Sequence, residues 1–207
     1  MNHSPAPRRL YQLPGSGHCH RIELMLALLG LDYETVDVDL QAGEQRRPEF
    51  LALNRLGQVP VLVDGELTLS DSNAILVYLA QRYAPDGGWL PQDPVAAAGL
   101  QRWFSLAASW LAYGPASARF QALVGRPIEE RSLVQGRALF GFMEAELADG
   151  RDWLMAGARP SLADVSLYSY SSQAALGGLP LDPYPQVRAW LARVEALPGF
   201  IPFQDHL

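Results

Sequence analysis

Pro85, Gly87, Gly88, Pro91 and Pro94 crowd the stretch between Ala84 and Pro94, and every strand signal in the sequence lies before it. Neither a helix nor a strand runs comfortably through such a stretch. The chain is therefore expected to divide into residues 1–84 and residues 85–207, with the sheet confined to the first part. In that part, Leu10-Tyr11-Gln12-Leu13 is a short strand stopped by Pro14-Gly15. Residues 21–29 are rich in helix formers, with Gly30 where a left-handed cap belongs, and apolar residues nearly encircle this helix. Residues 33–39 alternate, Val36 and Val38 on one face and Asp37 and Asp39 on the other. A helix joining two adjacent parallel strands is a right-handed βαβ unit.

After a polar loop from Gln41 to Arg47, Pro48 suits the first turn of a short helix ending near Leu53. Residues 59–63, an Asp64-Gly65 turn and residues 67–69 read as a β-hairpin. Ser70-Asp71-Ser72 offers a helix start that residues 74–83 continue. Strand–helix–strand followed by hairpin–helix is the order of a thioredoxin-like unit. Beyond the divide the pattern is helical. Three apolar stripes run through Leu100, Trp103, Phe104, Ala107 and Leu111; through Leu139, Phe140, Met143 and Leu147; and through Val187, Trp190, Leu191, Val194 and Leu197. Ser161-Leu162-Ala163-Asp164 has the spacing of a capping box. The fold class expected is α/β plus all-α: a thioredoxin-like domain, then a helical bundle.

Composition narrows the function. At 207 residues the chain can bury a core without a disulfide or metal staple. Sixteen basic residues against 22 acidic ones leave a net charge of −6, with no basic run, which argues against nucleic acid or an acidic membrane surface as partner. Cys19 is the single cysteine, so no intramolecular disulfide and no cysteine-rich zinc pattern can form. Residues 1–8 read as a tail without an apolar signal segment. No apolar run reaches the roughly 18–20 residues of a membrane span. The expected location is cytoplasmic.

Three local motifs then coincide with the capping box. They are Ser16-Gly17-His18-Cys19-His20-Arg21-Ile22 between the first strand and its helix, Gly57-Gln58-Val59-Pro60 at the hairpin entrance, and Leu69-Ser70-Asp71-Ser72-Asn73-Ala74-Ile75 at a helix start. With Ser161-Leu162-Ala163-Asp164-Val165, their order and spacing resemble the cytosolic glutathione transferase family. The likeness runs from Leu10 to about Phe203 and is strongest for bacterial members that use serine, near the theta and zeta branches.

The chemistry of Ser16 can be argued from the residue itself. A free thiol with a pKa near ~8.5 is only about 3% thiolate at neutral pH. Lowering that pKa by about two units takes roughly 2.7 kcal/mol of preferential thiolate stabilisation. A hydroxyl donor together with the positive end of a helix can supply this, and Ser16 ends the strand–helix loop where both meet. The plain alternative is a serine that only starts the helix. The resemblance makes Ser16 the catalytic residue and Pro60 a cis proline. A cis bond there turns the Val59 backbone outward, where it pairs with a peptide like an added strand, and Gln58 flanks that peptide. Backbone amides and the Ser72 hydroxyl at a helix start suit the γ-glutamyl carboxylate, with Asp71 facing the ammonium group; capping explains the same residues. Asn54, Gln41 and Arg47 are candidates for the glycine end.

Cys19 stands one turn after Ser16 and reads as a structural or modulating thiol. His18, Cys19 and His20 are consecutive and cannot converge on one tetrahedral ion, so no metal is expected. His18 and His20 read as site walls, and Tyr11 as core or wall. His18, Trp103, Phe104, Trp110, Tyr113 and Phe120 are the candidates for an apolar second-substrate pocket; at helical spacing such aromatics are also core formers. Phe200 and Phe203 are placed to close it from the tail. The resemblance implies a homodimeric glutathione transferase with no prosthetic group, glutathione as co-substrate and an apolar electrophile as partner. The alternatives are a glutathione-dependent isomerase, reductase or dehalogenase, a non-catalytic glutathione-fold binding or regulatory protein, and a redox protein centred on Cys19.

Overall fold

The structure, a computed structural model, describes residues 7–203. The expected tail falls largely on residues 1–6, outside the described residues, while Arg8 already belongs to the first strand.

Four strands form one sheet in the order β2-β1-β3-β4. They are β1 (Arg8–Gln12), β2 (Tyr33–Asp37), β3 (Val61–Asp64) and β4 (Leu67–Ser70). Between them lie helix α1 (Gly17–Leu28) and helix α2 (Pro48–Leu53), and α3 (Ser72–Tyr83) follows β4. β1 pairs parallel with β2 through Leu10↔Thr35 and antiparallel with β3 through Leu10↔Leu62. Strand periodicity assigns the two faces. Leu10 and Leu62 are buried in the main core with Ile22, Leu26, Ile75 and Leu76 from α1 and α3. Tyr11 and Val61 point the other way, into a smaller cluster with Val38, Phe50 and Leu53 around α2.

The hairpin differs from expectation by one residue. Asp64 pairs with Leu67, so the two-residue turn is Gly65-Glu66, with Gly65 at φ 62°. The glycine takes the left-handed position, and Asp64 stays in the ladder. Helix α1 also starts earlier than its apolar run, at Gly17, directly after Ser16.

Among the described residues no strand follows β4. Helix α4 (Pro94–Leu106) opens on Asp93, whose carboxylate caps the Val95 and Ala96 amides. It runs on through a π-helical segment, Ala107–Ala116, into α5 (Ser117–Leu123). Pro115 lies inside that segment and has no N–H for a helical ladder, a setting in which wider turns recur. Helices α6 (Glu130–Leu147), α7 (Leu162–Ser172) and α8 (Pro185–Glu195) complete the bundle. All three expected stripes are buried apart from Leu197, which is half-buried. No helix among the described residues is long and apolar enough to cross a membrane.

Helix α7 is buried from Leu162 to Ser171 and packs on α1, α3, α4 and α8. Its start is the expected capping box: Ser161 Oγ accepts from the Ala163 amide, and Asp164 Oδ2 accepts from the Ser161 amide at 2.8 Å. Asp164 Oδ1 also accepts from the Leu154 amide and from Trp190 Nε1, at 2.9 and 2.8 Å. The carboxylate thus joins α7 to α8 as well as capping its own helix.

Candidate active site

The N-terminus of α1, the turn before β3, the N-terminus of α3 and the π-helical segment meet around one cleft of about 230 Å³. Its walls are His18, Asn54, Leu56, Gln58, Val59, Pro60, Asp71 and Ser72, with Ala108 and Ala112 on the helical side. Six of the residues expected to bind glutathione therefore share one cavity. The Val59–Pro60 peptide bond is cis. The β3 ladder begins at Val61, so the Val59 backbone stands at the cleft outside the sheet.

Asn54 is buried and spent on the scaffold: its amide donates to Gln58 O at 2.8 Å and its Oδ1 accepts from the Leu56 amide. It shapes the turn that presents Val59. Asp71 has φ 71°, and its Oδ1 accepts from the Ala74 amide at 2.9 Å, making it the N-cap of α3. Ser72, the first residue of α3, is buried beneath the cleft. Its Oγ accepts from Arg21 Nη1 at 2.8 Å and lies 3.4 Å from His18 Nδ1.

Arg21 is 1% exposed. Its Nη1 also donates to Asn73 Oδ1, which in turn accepts from Ser166 Oγ on α7. Burial pulls the guanidinium down to about 10, with Tyr170 and Asp71 opposing. It remains a cation under the start of α3, adding positive charge where an anion would sit. Burial, followed by the Arg21 charge, pulls His18 down to about 3, so its imidazole is neutral.

Ser16 is the N-cap of α1 and half-buried, but its side chain caps none of the helix amides. Its hydroxyl favours the ionised forms of the neighbouring Cys19 thiol and Tyr170 phenol, against the larger opposing effect of burial. Cys19 is 1% exposed, its sulfur 3.5 Å from the Leu13 amide, and burial pushes its thiol up to about 11. The sites of His18, Cys19 and His20 diverge: His18 turns to Ser72, Cys19 to Leu13, and His20 to Ser169 and Ile201.

Other expected residues lie elsewhere. Gln41 is exposed in the loop after β2. Arg47 pairs with Glu44 at 3.0 Å and lines a separate depression with Tyr11, Val36 and Phe50, because α2 carries it to the opposite face of the sheet. Trp103 is fully buried core rather than pocket wall, and Phe104, also buried, edges a groove between α3 and α4. Their stripe points inward, as its helical spacing requires. Trp110, Tyr113 and Phe120 are exposed, at 37%, 59% and 53%, yet the cleft's helical wall is made by Ala108 and Ala112. Phe203 stacks on His20 at 4.8 Å and closes a second depression with Gln12, Gly15 and Glu23, while Phe200 packs edge-on against Tyr168. The tail covers the far side of α1 rather than the cleft.

Residues 6–81 match the glutathione S-transferase N-terminal domain, and residues 126–193 match the glutathione S-transferase C-terminal domain. The chain belongs to the glutathione S-transferase family. Glutathione S-transferase 3 of Zea mays is 34% identical over 206 residues, covering 94% of this chain and 92% of that one. The crystal structure of a glutathione S-transferase from Pseudomonas fluorescens Pf-5 superposes with a TM-score of 0.87 at 35% identity, covering 97% and 100% of the two chains. A glutathione transferase homolog from Drosophila mojavensis, solved with bound glutathione, superposes at 0.81 with 30% identity over 93% and 89%. The family fold is the one described above, a thioredoxin-like sheet and helices followed by a helical domain.

Two residues near this site receive no role from the sequence reading. Arg21 lies within the Ser16–Ile22 motif, a charged residue opening a run of helix formers that apolar residues nearly encircle. Tyr170 leaves no signal, since it sits among serines and tyrosines of a helix whose position only packing defines.

Proposed function

We infer that this chain is a glutathione transferase in which Ser16 keeps the glutathione sulfur ionised for attack on an apolar electrophile. The observation that carries this reading is the Ser16 hydroxyl, which stands at the N-terminus of α1 and caps none of its amides. Not being spent on those amides, it can donate to a sulfur that the positive end of the helix also attracts. The Val59 backbone would pair with the cysteinyl part of the tripeptide, as an added strand does. Ser72 and the first amides of α3 would hold the γ-glutamyl carboxylate above the buried Arg21 cation, and Asp71 would face the ammonium. Gln58 would flank the backbone. Residues 1–84 bind glutathione in this reading, and residues 85–207 supply the second-substrate surface, with Trp110, Tyr113 and Phe120 as its exposed aromatics.

Attack then forms a sulfur–carbon bond as the leaving group departs with its electron pair. Ser16 holds the sulfur's charge through its proton and need not give that proton up. In this reading the protein belongs with the bacterial serine-type members near the theta and zeta branches, and the resemblance would add a cytoplasmic homodimer. Cys19 is not the nucleophile here: it is buried and its thiol is held protonated. An isomerase, reductase or dehalogenase on the same cleft is separated by comparing apolar electrophiles with organic disulfides and halides as substrates.

Thiolate absorbance of bound glutathione, titrated against pH in wild type and Ser16→Ala, tests the assignment. Ser16→Ala should raise the thiol pKa by about two units and lower kcat/KM at neutral pH roughly a hundredfold, with glutathione still bound. Identical titrations in the two proteins would remove Ser16 from the mechanism.

A further inference from the structure

Among the described residues that wall the cleft, His18 is the one contributed by α1. It stands in the first turn of that helix, two residues after Ser16, which is the N-cap and not itself a wall. In the reading above, the γ-glutamyl end of glutathione lies at Asp71 and Ser72, and the cysteinyl backbone pairs with Val59. The thiol then extends toward the start of α1, which attracts its charge. His18 is the α1 side chain that meets the ligand there.

The imidazole is held from two sides. Nδ1 lies 3.4 Å from Ser72 Oγ, and the Tyr170 ring, seated on Gly17, meets it edge-on at 5.1 Å. Ser72 Oγ already accepts from Arg21 Nη1 at 2.8 Å, so the proton it has to give faces Nδ1. The Ser72 and Asn73 amides, which the Asp71 side chain leaves uncapped, remain for the γ-glutamyl carboxylate. The charged and titratable groups around the ring are Arg21 on α1, Asp71 on α3 and Tyr170 on α7. Burial and the Arg21 charge keep His18 neutral. A neutral imidazole that accepts at one nitrogen carries its proton on the other, which makes Nε2 a donor. Nε2 has no hydrogen-bond partner among the described residues. Unlike Arg21 Nε and Nη2, it is not one of the enclosed unpartnered atoms, so it opens on the cleft.

Resting on the assignment of glutathione to this cleft, we propose that His18 is a second catalytic residue, its Nε2–H donating a hydrogen bond to the glutathione sulfur. A histidine kept neutral donates in this way without giving up its proton. A hydrogen bond to an anion is roughly twice as strong as one between neutral groups, so the donor favours thiolate over thiol. Ser16 and His18 then hold the sulfur from two points of one helical turn.

The test is the same titration of bound glutathione in His18→Leu and His18→Gln. In His18→Leu the thiol pKa should rise by about one unit, a roughly tenfold loss of thiolate below the wild-type value, with kcat/KM falling in step and recovering at alkaline pH. His18→Gln offers an amide N–H in place of Nε2–H and should restore kcat/KM to within about threefold of wild type. In the Ser16→Ala background, His18→Leu should raise the pKa further, because the imidazole bonds the sulfur itself. Nitrogen NMR of the histidine side chains keeps the test open if a variant does not fold: His18 should show the Nε2–H form, with the Nε2 proton moving downfield when glutathione binds. The Nδ1–H form with a bare Nε2 overturns the proposal. An unchanged pKa in His18→Leu alongside a raised one in Ser16→Ala also overturns it and leaves Ser16 in place, as does weaker glutathione binding with no change in pKa. A raised pKa in His18→Leu alongside an unchanged one in Ser16→Ala supports His18 and removes Ser16. Failure of the wild-type protein to bind glutathione removes the reading of the cleft, and this role with it.

Discussion

Ser16 and Cys19 stand one helical turn apart, and their surroundings send them in opposite directions. A thiol in the first turn of a helix is ordinarily acidified. Cys19 is not, because it is 1% exposed and burial outweighs the Leu13 amide and the Ser16 hydroxyl, holding the thiol at about 11. In the folded protein it should therefore resist alkylation at pH 8, reacting at least a hundredfold more slowly than free cysteine. Cys19→Ala should keep kcat/KM within about threefold of wild type, as a small apolar replacement in a packed site does. Rapid labelling, or loss of activity in Cys19→Ala, would return the redox reading. Asn54 and Arg47 make a related point. Both have the hydrogen-bonding groups for a peptide ligand, but one is spent on the Gln58 turn and the other lies on the far face of the sheet. Side-chain chemistry nominates a residue; its neighbours decide what is left over for a ligand.

Helix α7 is the element on which the site depends. From one buried helix, Ser166 holds Asn73 at α3, Ser169 holds His20 at α1, and the Tyr170 ring packs on Gly17 and His18. Its own start is fixed by Asp164, which receives donors from Leu154, Ser161 and Trp190. The capping box alone accounts for about 1–2 kcal/mol, and the sequence supports only that figure. The structure adds the Trp190 and Leu154 donors, so Asp164→Ala leaves several buried donors unmet and should cost about 3–5 kcal/mol. Ser161→Ala should cost about 1 kcal/mol. Urea unfolding of the two variants, read as shifts in midpoint at constant m, checks the difference; equal costs would mean that Asp164 acts only as a cap. The short range of the capping signal made it legible, whereas the Trp190 contact joins helices far apart in sequence.

Across the whole molecule, His20 ties α1 to α7 and to the tail. Ile201 O can only accept, so Nε2 carries the proton and Nδ1 accepts from Ser169 Oγ. Burial pulls its pKa from 6.5 down to about 4. The folded state therefore binds fewer protons than the unfolded chain between those values, so stability falls as pH drops from about 6.5 to about 4. His20 accounts for about 3 kcal/mol of that loss. Thermal melts across this window should show the decline, and His20→Gln should make it shallower while leaving the share due to His18, which burial holds at about 3; an unchanged slope in His20→Gln would remove His20 from the acid sensitivity. The order of strands and helices, the buried stripes, the capping box and the meeting of Val59-Pro60 with Asp71-Ser72 were all readable in advance, since each rests on local periodicity or on motifs whose order defines a family. The placing of Trp103 in the core, of Arg47 on the opposite face, of Phe203 behind α1 and of the Tyr170 ring on Gly17 came only with packing. Periodicity states which face of an element is buried, but which distant group it is buried against depends on how the elements dock.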